Sequence, residues 1–253
     1  MHNLLEVLFN PLAVLLYMYV GLWIWETVAP AKALPKMKYW KLRGIVFFLF
    51  NFTLASILPL VVDRHLAKFQ LLDLTHMDPW LAALLGVTIY QGILYVWHRA
   101  IHRYDFLWKL FHQMHHSPER LDIPSAFYTG PWDTLMFTLI GSVSFVLILG
   151  LSAEAATIGV LFLTFLSLFQ HSNIKTPVWL GYFIQRPESH SIHHERGVHR
   201  YNYSDFPIYD IIFGTFKNPK NHAKKTGFYD GSSTRVLDML FMKDVSKPKN
   251  KRK

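Results

Sequence analysis

The sequence predicts an all-α integral membrane helical bundle of four to five spans, with a polar helical cap on one face. Three observations carry that expectation. Half of the 253 residues are apolar, and they fall in five blocks. The Lys and Arg residues gather on alternate connections between those blocks. Ten of the 14 histidines gather at span ends and in clusters on the same side as the bases.

The blocks come in order. Residues 4–29 and 44–63 hold no Lys or Arg, and further apolar stretches run over 80–97, 132–151 and 155–171. A hydrocarbon core asks for about 20 apolar residues per spanning helix, and tilt or local thinning absorbs a small shortfall. The count drops to four if the first block lies along the interface. That block is not read as a cleaved leader, since it lacks a positive start and its apolar run is too long for an h-region. The connections form the cap, residues 98–131 and 172–218, and the chain closes on a basic tail over 243–253. One membrane domain, 1–253, is expected.

Charge assigns the sides. Of the 26 Lys and Arg, 24 fall before the second block, between the third and fourth, or after the fifth. The connection over 64–79 carries only Arg64 and Lys68, against Asp73 and Asp78. By the positive-inside rule the rich side is cytoplasmic and the N-terminus is outside, in a bacterial inner membrane or the endoplasmic reticulum. A net charge of +9 is then explained by topology and by a tail facing solvent or headgroups, and no nucleic-acid partner is expected. With no cysteine in the chain, a disulfide framework, a thiolate zinc site and a cysteine-held iron–sulfur cluster are excluded.

The histidines follow the charge. His98 and His102 close the third block in "HRAIH", and His112, His115 and His116 follow in "HQMHHS". His171 ends the fifth block, and His190, His193, His194 and His199 lie in "SHSIHHERGVHR". Positions i, i+3 and i+4 share a helix face, so each cluster is expected to present two or three imidazoles together. One metal ion cannot use so many imidazoles. Two ions are the natural count, with imidazole suiting iron, zinc, copper or nickel.

The order "HRAIH", "HQMHHS", "SHSIHH", then "NYSDFPIYDIIFGTF" resembles the integral-membrane fatty acid hydroxylase superfamily, also called the sterol desaturase family, over roughly residues 85–218. The resemblance implies a membrane-embedded dinuclear site, usually taken as di-iron, that uses O2 to hydroxylate or desaturate a fatty acyl, sterol or related lipid. Carried onto this chain it gives His98, His102, His112, His115, His116, His190, His193 and His194 as metal ligands, with His171 as an extra ligand and His199 as a tenth. The chain departs from the pattern at Ser167, where some members have a further ligand, and at Gly130-Pro131, where many bacterial members have His-Pro.

Oxidising an unactivated C–H bond needs a metal with accessible higher oxidation states, which favours two iron ions, although zinc can occupy the same imidazoles in a purified form. The chain has no GxGxxG fingerprint, so the reductant is expected from an external electron-transfer protein, a ferredoxin or a cytochrome, drawn to the basic face. Asp105, Glu119, Asp122, Asp133, Glu188 and Glu195 are candidates to receive the second N–H of a ligating imidazole. Gln91 is read as a buried interhelical hydrogen-bonding residue. Two alternatives stay open: a redox-inert dinuclear hydrolase of membrane lipids, and a metal-binding or transport protein. The first generally asks for bridging carboxylates that the boxes lack. The second asks for ligands near the bilayer midplane.

Overall fold

The computed structural model describes residues 10–248, which leaves the expected start of the first span at residue 4, His2, and tail residues 249–253 outside the described residues. Among the described residues five helices are long and apolar enough to cross a membrane. No strand occurs among them, only an isolated bridge between Glu195 and Thr226.

Local chemistry starts each span. Helix α1 (Pro11–Val28) begins where the Asn10 side chain accepts from the Ala13 N–H at 2.9 Å and Pro11 takes the first turn. The second span, α2 (Trp40–Leu66), starts four residues before the apolar block does. The third, α3 (Pro79–Arg103), is capped by Asp78, which accepts from the Trp80 and Leu81 N–H groups. It runs past the expected limit at 97, so the span itself carries His98 and His102. The fourth, α4 (Pro131–Ser142), continues through a π-helical stretch, Val143–Ile148. The fifth, α5 (Ala153–His171), is capped by Ser152 and ends on a histidine.

The spans pack α2 on α4, α3 on α5 and α1 on α5. Outward positions of α1 and α2, such as Leu12, Val20, Leu49 and Leu60, are apolar and exposed, as lipid-facing residues must be. Hydroxyls within the spans are quieted by their own helix: Thr53, Thr88 and Thr164 each donate to the carbonyl four residues back at 2.8 Å. Asn51 joins α2 to α4 by accepting from Thr134 at 2.6 Å and donating to the Phe127 carbonyl at 2.9 Å. The single acid of α1, Glu26, is buried and accepts from the Ile123 and Asn173 N–H groups. It ties that helix to the cap.

The cap is larger than the sequence reading allows. Residues beyond 218 return to it, and Phe228, Met239 and Val245 pack with Trp40, Met114 and Tyr128 in one buried apolar cluster. The basic arm expected from 243 thus begins docked: Val245 is fully buried and its N–H donates to Gln113 at 3.2 Å. Hydropathy could not show this, because the docking residues are single apolar side chains scattered among charges.

Candidate metal centre

The cap-side ends of α3 and α5 meet two short cap segments. The first segment is one helical turn, Asp105–Leu107, that passes into a π-helical turn, Trp108–His112, and then into turns carrying His115 and His116. The second is α6 (Pro187–His193), started by Pro187 and held by a fully buried Arg186. The Arg186 guanidinium donates to the Thr176 carbonyl and hydroxyl, to Asn218 and to the Pro219 carbonyl, and pairs with Glu188 at 3.1 Å.

Nine of the ten expected histidines converge, in two groups. One donor nitrogen each from His98, His102, His112, His116 and His193 lies within 4.8 Å of the others, and His115, His171, His190 and His194 form a second such group. The i and i+4 pair, His112 and His116, stays together in the first group, but the three imidazoles do not act as one set: His115 turns to the second group. Likewise His193 faces the first group, while His190 and His194, one turn apart, face the second. His199 belongs to neither group; its Nδ1 stands 3.1 Å from Nδ1 of His116, on the ring edge away from that residue's buried Nε2.

What lies behind the rings fixes their protons. A carbonyl oxygen can only accept, so Nδ1–H of His98 donates to Tyr203, that of His193 to Tyr201 and that of His171 to Ser167, each at 2.7 Å. His112 Nδ1 donates to Asp133 at 2.8 Å, and Asp133 also accepts from Thr129 at 2.6 Å. Nε2 of each of these four imidazoles is therefore a bare lone pair. His98 and His112 aim theirs at each other across 2.9 Å, a repulsive contact that a cation between them turns into ligation. In the second group His171 Nε2 stands 3.0 Å from His115 Nε2 and 3.1 Å from His190 Nε2.

The donor set fits first-row metal ions. Two imidazole nitrogens bound at right angles about 2.1 Å from one ion stand about 3.0 Å apart, which is the spacing seen. Nε2 of His102, His116 and His193 is buried with no hydrogen-bond partner among the described residues. Burial and neighbouring imidazoles push His112, His115, His116, His190, His193 and His194 well below the ordinary histidine range, so these rings are neutral and able to ligate. His199 is pushed down to about 4 by burial.

Of the six acids singled out by position, only Asp133 meets a ligand-group histidine among the hydrogen bonds of the described residues. Glu119 accepts from Gly231 and Ser233, Asp122 from Trp40 and Arg120, and Glu188 from Thr176. Gln91 does make a buried bridge between elements, donating to Asp205 and accepting from Ser204. Sequence reasoning missed Asp205 and Asp210. Asp205 takes amide donors from both Gln91 and Gln170, and Asp210 accepts from the Tyr203 and Ser204 N–H groups. Together they fix the loop whose carbonyls orient His98 and His193. That loop also places Tyr201 and Asn202 at φ 73° and 52°, in the left-handed region. Asn202 steadies it by donating to the Ser189 and Lys217 carbonyls.

Fold and site define a multi-pass helical membrane protein with a paired, buried polyhistidine centre at one end of its bundle. The chain belongs to the fatty acid hydroxylase family, whose model matches residues 83–215. Sphinganine C4-monooxygenase 1 of Arabidopsis thaliana is 28% identical over 148 residues, 56% of this chain and 56% of that protein. Very-long-chain aldehyde decarbonylase GL1-9 of Oryza sativa subsp. indica is 26% identical over 60% of each chain. Ornithine lipid hydroxylase OlsE of Rhizobium tropici is 30% identical over 56% of this chain and 44% of its own. The chain thus spans about half the length of these relatives. No solved structure matches it.

Proposed function

We propose that the protein is an O2-dependent hydroxylase of membrane lipids, holding one iron ion at His98, His102, His112, His116 and His193 and a second at His115, His171, His190 and His194. The observation that carries this reading is the pair of buried, carboxylate-free imidazole groups set against an apolar bundle. Iron held there would supply O2 activation and redox cycling that the protein's own side chains lack, the two electrons per turnover coming from an external donor. Family membership supports the reaction class, and relatives named as a sphinganine C4-monooxygenase and an ornithine lipid hydroxylase support hydroxylation over desaturation. His199 then acts behind His116, holding its ring from the side opposite the first ion.

The chain's own residues do three things in this reading. The carbonyls of Tyr203, Tyr201 and Ser167, with the Asp133 carboxylate, hold four rings in the tautomer that ligates. Phe137, on α4, packs against the rings, its centroid 6.4 Å from that of His98 and 5.9 Å from that of His112. It extends the apolar cluster of Tyr90, Leu94, Ile140 and Phe145, which orients a lipid chain and excludes water. The opposite, basic face receives electrons from an external ferredoxin or cytochrome on the cytoplasmic side.

The test is isotopic. Iron-loaded protein, given an electron donor and membrane lipid extract, is expected to yield a lipid carrying oxygen-18 from 18O2. Product labelled from water instead would make the protein a hydrolase or hydratase.

A further inference from the structure

A cavity of about 580 Å³ opens on the cap side, away from the imidazole groups. Its size falls within the roughly 300–1,000 Å³ of small-molecule sites. Lys32, Lys36, Lys38 and Arg43 line it from the α1–α2 connection and the start of α2, and Lys224 and Lys225 from the segment before Thr226. These walls fall outside the residues matched by the family model.

The charge in the cavity is one-sided. Seven Lys and Arg line it against two carboxylates, a formal excess of five. Both carboxylates are already engaged: Asp230 pairs with Arg196, the seventh base, at 2.8 Å, and Glu119 accepts from Gly231, Ser232 and Ser233. None of the other six bases makes an ion pair among the described residues. Arg43 is half-buried, and its guanidinium makes no hydrogen bond among the described residues. Lys32 is held by the Ala223 and Lys224 carbonyls at 2.6 and 3.1 Å, which uses two of its three N–H donors.

The walls are also rigidly set. Asn173 joins the Ala31–Lys32 backbone to the end of α5 through three hydrogen bonds, and the Ala223 N–H donates to Ser191 on α6. Six cations around one concavity, with no ion-pair partner among the described residues, repel one another and focus a positive potential into it. Phosphate answers that arrangement, because its oxygens accept charge-assisted hydrogen bonds from several ammonium groups and from a guanidinium fork at once.

We propose that this cavity binds the phosphate of a phosphate-bearing ligand, held by Lys36, Lys38, Lys224 and Lys225 at the mouth and by Lys32 and Arg43 deeper in. Two sources share that chemistry: a lipid headgroup entering where α1 ends and α2 begins, and a soluble phosphate. The site is independent of the metal reading and needs no turnover to be detected.

The experiment titrates the full chain in a neutral detergent at fixed ionic strength with inorganic phosphate and, separately, with dihexanoyl phosphatidic acid. The cavity variant carries Lys36→Gln, Lys38→Gln, Lys224→Gln and Lys225→Gln, all at exposed positions. A control removes the same charge elsewhere through Lys41→Gln, Lys175→Gln, Lys220→Gln and Lys247→Gln. The cavity variant is expected to bind at least about tenfold more weakly, and the control like the parent protein. Equal affinity for both probes marks a soluble phosphate as the source. A lipid preference of about tenfold or more marks a headgroup. Equal weakening in both variants would show diffuse surface charge and overturn the proposal. So would failure of both probes to bind, or an acidic protein held on this face that neither probe displaces.

Discussion

Neighbouring histidines in this chain belong to different groups. His115 and His116 are adjacent in sequence, as are His193 and His194, yet each pair divides between the two groups. Single substitutions should therefore remove metal selectively. With the protein loaded with iron, His116→Ala and His115→Ala are each expected to lower the metal content from two ions toward one, and the double variant toward none. Metal analysis after desalting checks this, and His65→Ala, at an exposed ring outside both groups, should leave the count unchanged. A uniform loss in both single variants would mean that the groups form one undivided site. Asp133 acts a step further back. Replacing it with Asn puts an amide N–H or a weaker acceptor behind His112, and the cost expected is about 10–100-fold in metal affinity, read by competition with a chelator.

At the scale of elements, the short cap helices depend on what anchors them. The seven residues of α6 cannot be stable alone, and Arg186 and Glu188 hold them to the 176 and 218 segments. Arg186→Ala leaves a buried carboxylate without its cation, a loss of about 3–5 kcal/mol, and should lower the melting temperature and release the ion at His190 and His194. Arg186→Lys should rescue only part of this, since an ammonium cannot reproduce the fork that meets Thr176 and Asn218 together. A variant melting like the parent would show that α6 is held by other contacts. This anchoring was not legible in the sequence, because apart from Glu188 the partners of Arg186 lie ten to thirty-three positions away. The spans were legible through hydropathy and charge, and eight of the nine converging histidines through their spacing; His171 came only with the family resemblance. The division of the nine was not, because residues three and four positions on are neighbours on a helix face, and only the packed fold shows which of them turns to which group. Asp133 stood among six acids that position alone could not rank; only the fold brings it within 2.8 Å of His112.

The whole molecule has a direction that the helices by themselves do not fix. The α1–α2 and α3–α4 connections with the span ends that flank them, and everything after α5, carry 24 of the 26 bases, and both imidazole groups sit at that end of the bundle. Lys and Arg near span ends resist translocation, so this end is expected in the cytoplasm, where reductant and protons would reach the imidazole groups. The absence of cysteine makes the orientation directly testable, since any introduced thiol is the only one present. His76→Cys marks the α2–α3 connection and Lys36→Cys the α1–α2 connection, both at exposed positions. In intact bacterial spheroplasts a membrane-impermeant maleimide is expected to label His76→Cys at once and Lys36→Cys only after permeabilisation. Immediate labelling of Lys36→Cys with protection of His76→Cys would put the imidazole groups on the outer face. It would also remove the cytoplasmic electron donor from the proposed reaction, because the basic face that receives it would then point away from that compartment.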